Sequence, residues 1–445
     1  SGKNALDATL WVGQLLNGFA IFMLYPLVLS FKPKNRWGAV AAVAIAGLLL
    51  SMPMAYVNSG RYTQLAGQML MPLVIVLFLN LIRKDRIDWK LILLVALTVT
   101  GLALTHYRIF ILTVAFCVLV AIFYFQKKNA RTTILSILLM ILVSLLLYSP
   151  WMINLQNGSL TQSLQVKMAR IPETGTTPKG FINLLESFYP TWSWVLAGLS
   201  ALLLLITKRK EGLLLLLWTG LIVVFANPWW LGLVGEGVID DLSVQFGFYF
   251  PLTMFIAFFL GSLERPGLNS KALEPVLVFL LIGVSLFGFK QQSAILSYKD
   301  HAYLTRPDLR AFEWIKADTS QDSKFLVNFE FSYNNTAVTG IDAGWWIPLI
   351  TGRATNLPPL TFTSETGYQP NNHQQVLYDS QVIQNQVQSL PESCGDFQNG
   401  SYDYIYIGQN PLKPPLFEPQ WLSTSPCFEL VYRQDQVWIF KILRP

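Results

Sequence analysis

The fold class is decided by residues 132–152, TTILSILLMILVSLLLYSPWM, which contain no charged side chain. A helix rises 1.5 Å per residue, so a stretch of this length extends about 30 Å, the thickness of a bilayer's hydrocarbon core. Residues 132–152 are therefore predicted to cross a membrane. Working outward, the sequence predicts ten apolar spans in all, at residues 8–29, 37–55, 63–82, 89–105, 107–125, 132–152, 191–207, 212–234, 244–263 and 272–289.

Composition separates a membrane part from a water-exposed part. The 445 residues are 53% hydrophobic and 13% charged, with a mean hydropathy of +0.42, whereas about 25% of the residues of a soluble domain are charged. This excludes a soluble enzyme, a disordered chain and a disulfide-stapled miniprotein. We predict a polytopic α-helical membrane protein, with a transmembrane domain of about ten helices at residues 1–290 and a C-terminal extracytoplasmic α/β domain at residues 291–445.

Charge predicts the orientation in the membrane. Residues 1–290 hold 22 Lys and Arg against 11 Asp and Glu, a net +11, and residues 291–445 hold 10 against 15, a net −5. Lys and Arg are retained on the cytoplasmic side, and every odd-numbered loop is basic. The prediction is a multi-pass plasma-membrane protein whose even loops, N-terminus and C-terminal domain lie outside, with no nucleic-acid partner. The basic loop residues are Lys32, Lys34, Arg36, Arg83, Lys84, Arg86, Lys127, Lys128, Arg131, Lys208, Arg209, Lys210, Arg265 and Lys271.

An N-terminus on the outside has a further implication. The sequence begins at Ser1, without an initiator Met or a recognisable signal peptide. We therefore expect an odd number of further spans to precede Ser1 in a longer protein, of which this chain is a fragment.

Cationic and polar residues in the even loops are candidate substrate-binding groups. Arg61 and Tyr62 lie in one short turn, His106, Tyr107 and Arg108 in another, and Arg170 in the long loop 154–190. Arg binds phosphate through two parallel hydrogen bonds, so a lipid-borne phosphate is the favoured ligand. The alternatives stay open: an Arg at a helix end also snorkels to the headgroups, and His106 also fits a hydrogen-bonded interfacial residue.

An acidic cluster follows Trp229 and Trp230 in the last even loop. Glu236, Asp240 and Asp241 are the candidate catalytic residues, because carboxylates at a membrane-surface cleft serve as general bases or hold a divalent cation such as Mg²⁺ or Mn²⁺. The alternative is a solvated acidic loop beside tryptophans of the interfacial belt.

The exported domain is predicted to have helix and strand units followed by a sheet. A helix is expected at residues 306–315, with Pro307 in its first turn, and strands at residues 325–329, 402–407, 428–432 and 437–440. Cys394 and Cys427 lie in this domain, where an oxidising compartment permits a bridge, so we predict that they form a disulfide. Cys117 is mid-span and is predicted to be a core residue.

One segment of the exported domain resembles a known family. Asp342-Ala-Gly-Trp345-Trp346-Ile, followed by Gly-Arg353-Ala-Thr, is similar at matching spacing to a motif of the oligosaccharyltransferase catalytic subunit, a member of the GT-C superfamily of membrane glycosyltransferases. The two tryptophans that precede the aspartate in that family are Gly340 and Ile341 here. The resemblance implies substrate contacts for Asp342, Trp345, Trp346 and Arg353.

The family resemblance implies an activity. GT-C enzymes transfer a sugar from a polyprenyl-phosphate donor to a glycan, lipid or protein acceptor on the outer face of the membrane. They use a carboxylate in the first outside loop, with or without a divalent cation, and that loop would precede Ser1. Arg61, Arg108 and Arg170 are then the candidates to stabilise the departing phosphate.

Two other classes of function are alternatives. One is a non-catalytic membrane protein that binds glycans or lipid, with Trp345 and Trp346 as a stacking platform, although a Trp pair is also common in a domain core. The other is a transporter, which is disfavoured because no predicted span carries a mid-membrane Asp, Glu, Lys or Arg.

Overall fold

The structure, a computed structural model, forms two compact units with their boundary between residues 297 and 298. It describes residues 5–156, 176–234, 239, 241–263, 270–295, 302–332, 335, 337–358, 372–389, 394–411 and 413–444.

The N-terminal unit is helical throughout its described residues. Its helices are α1 (Ala5–Phe22), α2 (Leu24–Phe31), α3 (Arg36–Ala44), α4 (Ala55–Asn58), α5 (Tyr62–Ile82), α6 (Trp89–Thr105), α7 (Tyr107–Tyr124), α8 (Ala130–Gln156), α9 (Pro178–Glu186), α10 (Thr191–Ile206), α11 (Lys210–Ala226), α12 (Asp241–Gly247), α13 (Tyr249–Leu263) and α14 (Ser270–Ile295). A π-helical turn, Ile45–Leu49, extends α3, and Pro228–Leu231 form a 3₁₀ turn after α11.

Several of these helices suit a bilayer. Among the described residues, four stretches are long and apolar enough to span it: Ala8–Phe31, Tyr62–Ile82, Tyr107–Tyr124 and Lys127–Ile153. A fifth is obtained if α9 and α10, which meet at 110°, are counted together. Helix lies in each of the ten predicted intervals, but some helices are short: the interval 37–55 holds a helix that stops at Leu49.

Apolar side chains of this unit fall into two sets. One set packs between helices and includes Trp218, Phe116 and Phe258, each at most 1% exposed. The other set points outward, as with Leu146 on α8 and Leu286 on α14, which are 64% and 71% exposed. A broad outward face of leucine suits contact with lipid rather than water, and several helices have the length and composition to cross a bilayer. The helical unit is therefore a polytopic membrane domain.

The C-terminal unit is an α/β domain, as predicted. Its helices are α15 (Arg306–Asp318), α16 (Ile347–Thr351), α17 (Asn372–Gln388), α18 (Cys394–Asn399) and α19 (Pro419–Thr424). Its strands are β1 (Lys324–Val327), β2 (Phe329–Ser332), β3 (Ala337–Gly340), β4 (Ala354–Thr355), β5 (Tyr404–Ile407), β6 (Phe428–Gln434) and β7 (Val437–Ile442).

The main sheet has the strand order β4-β1-β5-β7-β6, and β2 pairs with β3 in a separate hairpin. β4, β1 and β5 are parallel, while β7 runs antiparallel to β5 and β6. The predicted helix is confirmed as α15: Thr305 and Asp308 form a reciprocal cap at its start, and Phe312 and Ile315 are fully buried. Because β1 and β5 are parallel neighbours, their carboxyl ends meet at one edge of the sheet.

Candidate functional site

Four odd loops that the structure describes lie at one end of the helices of the membrane unit. Arg83 of the third loop donates a hydrogen bond to the carbonyl of Ser30, beside the first loop, at 2.9 Å. The Lys210 ammonium of the seventh loop lies 3.6 Å from the centroid of the Tyr124 ring, at the end of α7. Asn129 of the fifth loop contacts Asp85 of the third. The first, third, fifth and seventh loops therefore form one surface, which we call the basic end.

The even loops gather at the other end. The Ser51 hydroxyl, before α4, donates to the carbonyl of Phe188 at 2.6 Å. The Trp230 indole donates to the carbonyl of Thr176 at 2.9 Å. Gly67, in the second turn of α5, lies so close to His106 that a Cβ at that position would be 3.1 Å from the His106 Cβ. We call this surface the polar end; that it faces the outside stays a prediction.

A buried network of hydroxyl and amide groups lies within the polar end. The Tyr249 hydroxyl donates to the Gln68 carbonyl oxygen at 3.4 Å, and Gln68 also hydrogen-bonds with the Tyr56 hydroxyl. The Tyr189 hydroxyl donates to the backbone carbonyl of Gln245 and accepts the Tyr249 N–H at 3.0 Å. All five residues are at most 1% exposed. Polar groups are buried in a membrane domain at a large desolvation cost, so such a cluster indicates a site.

Helix α12 contributes unsatisfied polar groups to this region. Neither the amide nitrogen nor the amide oxygen of Gln245 has a hydrogen-bond partner among the described residues, although the side chain is 0% exposed. The Oδ1 atom of Asp241 is likewise buried without a partner in the described part of the chain. The two residues are four positions apart on one helix, so they share a face. This face offers an acceptor carboxylate and an amide to a polar ligand.

Arg61 and Tyr62 lie at the start of α5, close to this network. Arg61 occupies the position before the first residue of the helix, and its charge acts on the buried Tyr56 hydroxyl. The Tyr62 ring packs against Gly13 of α1, where a side chain would collide with it. The Arg61 backbone N–H also donates to the carbonyl of Tyr56 at 3.2 Å, so Arg61 is linked to the buried network.

The second predicted turn is ordered by its own contacts. The Nδ1 atom of His106 accepts the Ile109 N–H at 3.4 Å and caps α7. The His106 and Tyr107 rings stack with centroids 6.2 Å apart, and the Arg108 Nε donates to the Tyr107 hydroxyl at 2.8 Å. This cap matches the alternative for His106, a hydrogen-bonded residue, and its substrate role stays a prediction. Substrate roles for Tyr107 and Arg108 stay predictions.

Three of the predicted residues lie outside the described part of the chain. They are Arg170, Glu236 and Asp240. Of the acidic candidates, Asp241 alone can be placed. Among the described residues, no group of three or more His, Cys, Asp and Glu side chains is arranged to hold a metal ion. The divalent-cation prediction depends on Glu236 and Asp240 and stays a prediction.

In the C-terminal unit, Asp342 is fully enclosed at the carboxyl edge of β1 and β5. Its Oδ1 accepts the Gly344 N–H at 2.8 Å, and its Oδ2 accepts the Asn328 Nδ2 at 2.9 Å and the Gly408 N–H at 3.1 Å. Burial raises the pKa of Asp342 to about 6, against the opposing effect of these hydrogen bonds. With 0% exposure, the carboxylate holds the two strand ends and the following turn together, and it does not face solvent.

A second buried carboxylate lies nearby. Asp308 accepts hydrogen bonds from the Tyr406 hydroxyl at 2.7 Å, the Thr305 N–H at 2.8 Å and the Gln409 N–H at 3.1 Å. It caps α15 and ties that helix to the end of β5. Its negative charge contributes to the raised pKa of Asp342. Burial and the neighbouring Asp308 hold the pKa of the Tyr406 hydroxyl well above its ordinary value.

The other motif residues make structural contacts. Trp345 lies over Gly340 and donates its indole N–H to the carbonyl of Pro358 at 3.3 Å, and Trp345 and Trp346 are half-buried against the domain core. Arg353 donates to the carbonyls of Thr351, Lys316 and Thr319 at 2.7, 3.1 and 2.9 Å. Arg353 thus binds the C-terminal end of α15. Substrate roles for these residues stay predictions.

An open cavity of about 780 Å³ lies between the β2–β3 hairpin and α17. Its wall combines aromatic, amide and charged groups. Tyr378 is 66% exposed there, beside Gln381 and Gln384, and Lys413 pairs with Glu330 at the rim. Amides and exposed rings of this kind suit a polar ligand with many hydroxyl groups.

The two cysteines of this unit are joined. Cys394 and Cys427, with Cα atoms 6.0 Å apart, form a disulfide that ties α18 to the start of β6. Cys117 remains a free thiol within α7.

Fold and site together define a polytopic α-helical membrane protein with a C-terminal α/β domain. Residues 16–237 match a protein family that is described as a family of unknown function, DUF6541. No curated protein matches the sequence. Among solved structures, the chain is similar to the arabinofuranosyltransferase AftD from Mycobacteria, determined by single-particle cryo-electron microscopy, with 13% identity and a TM-score of 0.46. The similarity covers 92% of this chain and 33% of that one, so the chain spans about a third of AftD's length.

The sequence patterns do not predict the residues of the buried network, which are Tyr56, Gln68, Tyr189, Gln245 and Tyr249. One signal was present: Gln68 and Gln245 are amides within predicted apolar spans 63–82 and 244–263. The tyrosines carried no such signal, because Tyr is ordinary near a membrane interface.

Proposed function

We propose that this chain is the membrane scaffold of a GT-C-like glycosyltransferase. The reaction is transfer of a sugar from a polyprenyl-phosphate donor to a glycan, lipid or protein acceptor on the outer face of the membrane. The sequence resemblance around Asp342–Thr355 motivates the reaction class, and the polar end of the membrane unit supplies the site.

The observation that carries this proposal is the unsatisfied polar face of α12. A buried polar atom without a hydrogen bond costs about 1–3 kcal/mol. Gln245 and Asp241 together have three buried side-chain atoms without a hydrogen-bond partner among the described residues. A fold retains such groups where a ligand completes their hydrogen bonds. The adjoining network of Tyr hydroxyl and Gln amide groups, together with Arg61, extends the same polar surface.

The chemistry assigns a role to each group. A carboxylate, here Asp241, removes the proton from an acceptor hydroxyl, whose oxygen then forms a bond to the sugar's anomeric carbon. The bond from that carbon to the phosphate oxygen breaks, and the lipid phosphate leaves with the bonding electron pair. Arg61, with Arg108 and Arg170 as further candidates, would stabilise the charge that develops on the phosphate.

The same proposal includes a location. The chain is a multi-pass plasma-membrane protein whose polar end and C-terminal domain lie outside the cytoplasm. The basic end supports this orientation through the retention of Lys and Arg in cytoplasmic loops. The Cys394–Cys427 disulfide supports it too, since such bonds persist in oxidising compartments.

The test is deletion of the gene in its native host and complementation with the full-length protein or its Asp241→Asn variant. Polyprenyl-phosphate sugars and envelope glycans are then quantified by mass spectrometry. We expect the deletion to accumulate one donor lipid and to lose one glycan or glycolipid product. Asp241→Asn should reduce product formation at least 100-fold at equal protein level, as expected for loss of a general base.

Asp85→Asn is the matched control, because Asp85 lies at the basic end of the same unit and contacts Asn129. It should restore the product fully. Full restoration by Asp241→Asn would remove Asp241 from the mechanism while leaving the transferase possible with another base. Unchanged lipid-linked sugars and glycans in the deletion strain would make the glycosyltransferase proposal wrong.

Binding of glycans without catalysis is the second candidate, and the cavity beside Tyr378, Gln381 and Gln384 favours it. This function predicts that the deletion leaves the donor lipids unchanged. It also predicts that glycan retention by the full-length protein is lost in a Tyr378→Ala variant, whose exposed ring makes the substitution mild for folding.

A further inference from the structure

A second cavity, of about 610 Å³, opens at the basic end of the membrane unit. It lies where the end of α5 meets the start of α6. Asn80, Arg83, Lys84, Asp88, Lys90 and Leu94 are among its lining residues. It is separate from the polar end, where the proposed transfer reaction takes place, and the inference drawn from it does not depend on that reaction.

The cavity carries an excess of positive charge. Three of its lining residues are cationic, and Asp88 is the one anion among them. Asp88 is already engaged, since it accepts the Leu91 N–H at 3.1 Å as the cap of α6 and pairs with Lys84 at 3.3 Å. Lys90 is exposed and has no ion-pair partner among the described residues. A net charge of about +2 is therefore available to an anion.

The cavity continues into a lipid-facing apolar surface. Leu94 and Leu97 follow Lys90 at four and seven positions along α6, so all three lie on one face of the helix. The two leucines are 46% and 49% exposed. Trp89, at the first turn of α6, is 62% exposed, as is usual for a ring at the level of lipid headgroups. A ligand that fits both parts has an anionic head and an apolar tail.

We propose that this cavity binds an anionic phospholipid, with its phosphate between Lys84, Lys90 and Arg83 and an acyl chain along Leu94 and Leu97. The site lies among the loops predicted to be cytoplasmic, and anionic lipids are enriched in the cytoplasmic leaflet. Lysine and arginine side chains at the headgroup level contact lipid phosphates as charged donors.

The full-length protein in nanodiscs is the system for the test. Discs contain either phosphatidylcholine alone or phosphatidylcholine mixed with phosphatidylglycerol, which supplies the anionic headgroup. Native mass spectrometry after release counts the lipids that stay bound. We expect one phosphatidylglycerol to be retained by the wild-type protein, and its retention to fall about tenfold in the double variant Lys84→Gln, Lys90→Gln.

Lys127→Gln with Lys128→Gln is the matched control. Both lysines are exposed at the same end, outside the cavity, so this variant removes the same charge. Retention should be unchanged in it. Equal loss in the two double variants would show diffuse attraction and overturn the proposal, as would equal retention of phosphatidylcholine. Displacement of the bound lipid by millimolar inorganic phosphate would show a free-phosphate site instead and would also overturn it.

Discussion

Two buried polar clusters in this protein differ in how their hydrogen bonds are completed. Around Asp342, both carboxylate oxygens accept hydrogen bonds, from Asn328, Gly344 and Gly408. On α12, the side-chain amide of Gln245 and the Oδ1 of Asp241 have no partner in the described part of the chain. Removing a polar group from water is costly in both places. The first cluster is compensated within the fold and stabilises it, whereas the second lacks partners among the described residues, and we propose that a ligand completes it.

The largest expected effect is a loss of stability when the hydrogen-bonded cluster around Asp342 is disrupted. Asp342→Ala leaves the Asn328 side-chain N–H and the N–H groups of Gly344 and Gly408 without their acceptor. At about 1 kcal/mol or more for each unpaired donor, the free energy of unfolding of the C-terminal domain should fall by at least roughly 3 kcal/mol. Urea unfolding of the full-length protein, followed by pulse proteolysis of this domain, measures the change.

Asp435→Ala provides the comparison for that measurement. Asp435 pairs with Arg310 on the surface of the same domain, and both side chains are about half exposed. Exposed pairs contribute at most about 1 kcal/mol, so the control should stay close to wild type. A loss for Asp342→Ala no larger than for Asp435→Ala would contradict the stabilising role of the completed cluster.

The pH dependence of stability comes next in size. Burial raises the pKa of Asp342 from 3.8 to about 6, so the folded domain holds this proton more tightly than the unfolded chain does. The resulting stabilisation is complete below about pH 4, is lost as the pH rises to 6, and is absent above that. At 1.36 kcal/mol per pH unit, the loss is roughly 3 kcal/mol at most.

The difference between wild type and Asp342→Asn isolates this group, because Asn does not titrate. Unfolding midpoints of both proteins are measured from pH 4 to pH 8. The stability of the wild type relative to the variant should decrease between pH 4 and 6 and then become constant. A difference that increases over that interval would mean that Asp342 is ionised more easily when folded, the opposite of the effect of burial.

The smallest effect on the free energy of unfolding is expected for a substitution in α12, which should increase stability instead of decreasing it. Gln245→Leu replaces an amide that lacks partners with an apolar group of similar length, so the membrane unit should become more stable by about 1 kcal/mol. The matched variant Asn328→Leu, in the completed cluster, should instead destabilise its domain by breaking hydrogen bonds to Asp342 and from the Phe417 N–H.

Thermal unfolding of the membrane unit is followed with a thiol-reactive fluorophore, which labels Cys117 in α7 when the helices unfold. Cys117 is the one cysteine of these 445 residues outside the disulfide. The midpoint of Gln245→Leu should rise by a few degrees, while product formation in the complementation assay falls. A lower midpoint would show that Gln245 is satisfied in the folded protein, and the contrast between the clusters would disappear.

The sequence by itself determined the architecture. Apolar runs of bilayer length predict membrane helices, because a helix satisfies its backbone hydrogen bonds internally, as a lipid environment requires. The first-turn proline and the apolar spacing at residues 306–315 predicted α15, and alternating patterns predicted the main strands. Loop charge also grouped the loops into two sets, which the structure gathers at two ends of the membrane unit.

Only the tertiary structure decided what the polar residues do. The structure adds what the motif residues contact: the ends of the parallel strands β1 and β5 enclose Asp342, and Arg353 donates to carbonyls at the end of α15. Their substrate roles stay predictions. Tyr56, Tyr189 and Gln245 come from three distant stretches and meet only when the helices pack. The hydrogen bonds of a buried polar side chain depend on partners far away in the chain. A local sequence pattern therefore cannot predict whether those hydrogen bonds are made within the fold.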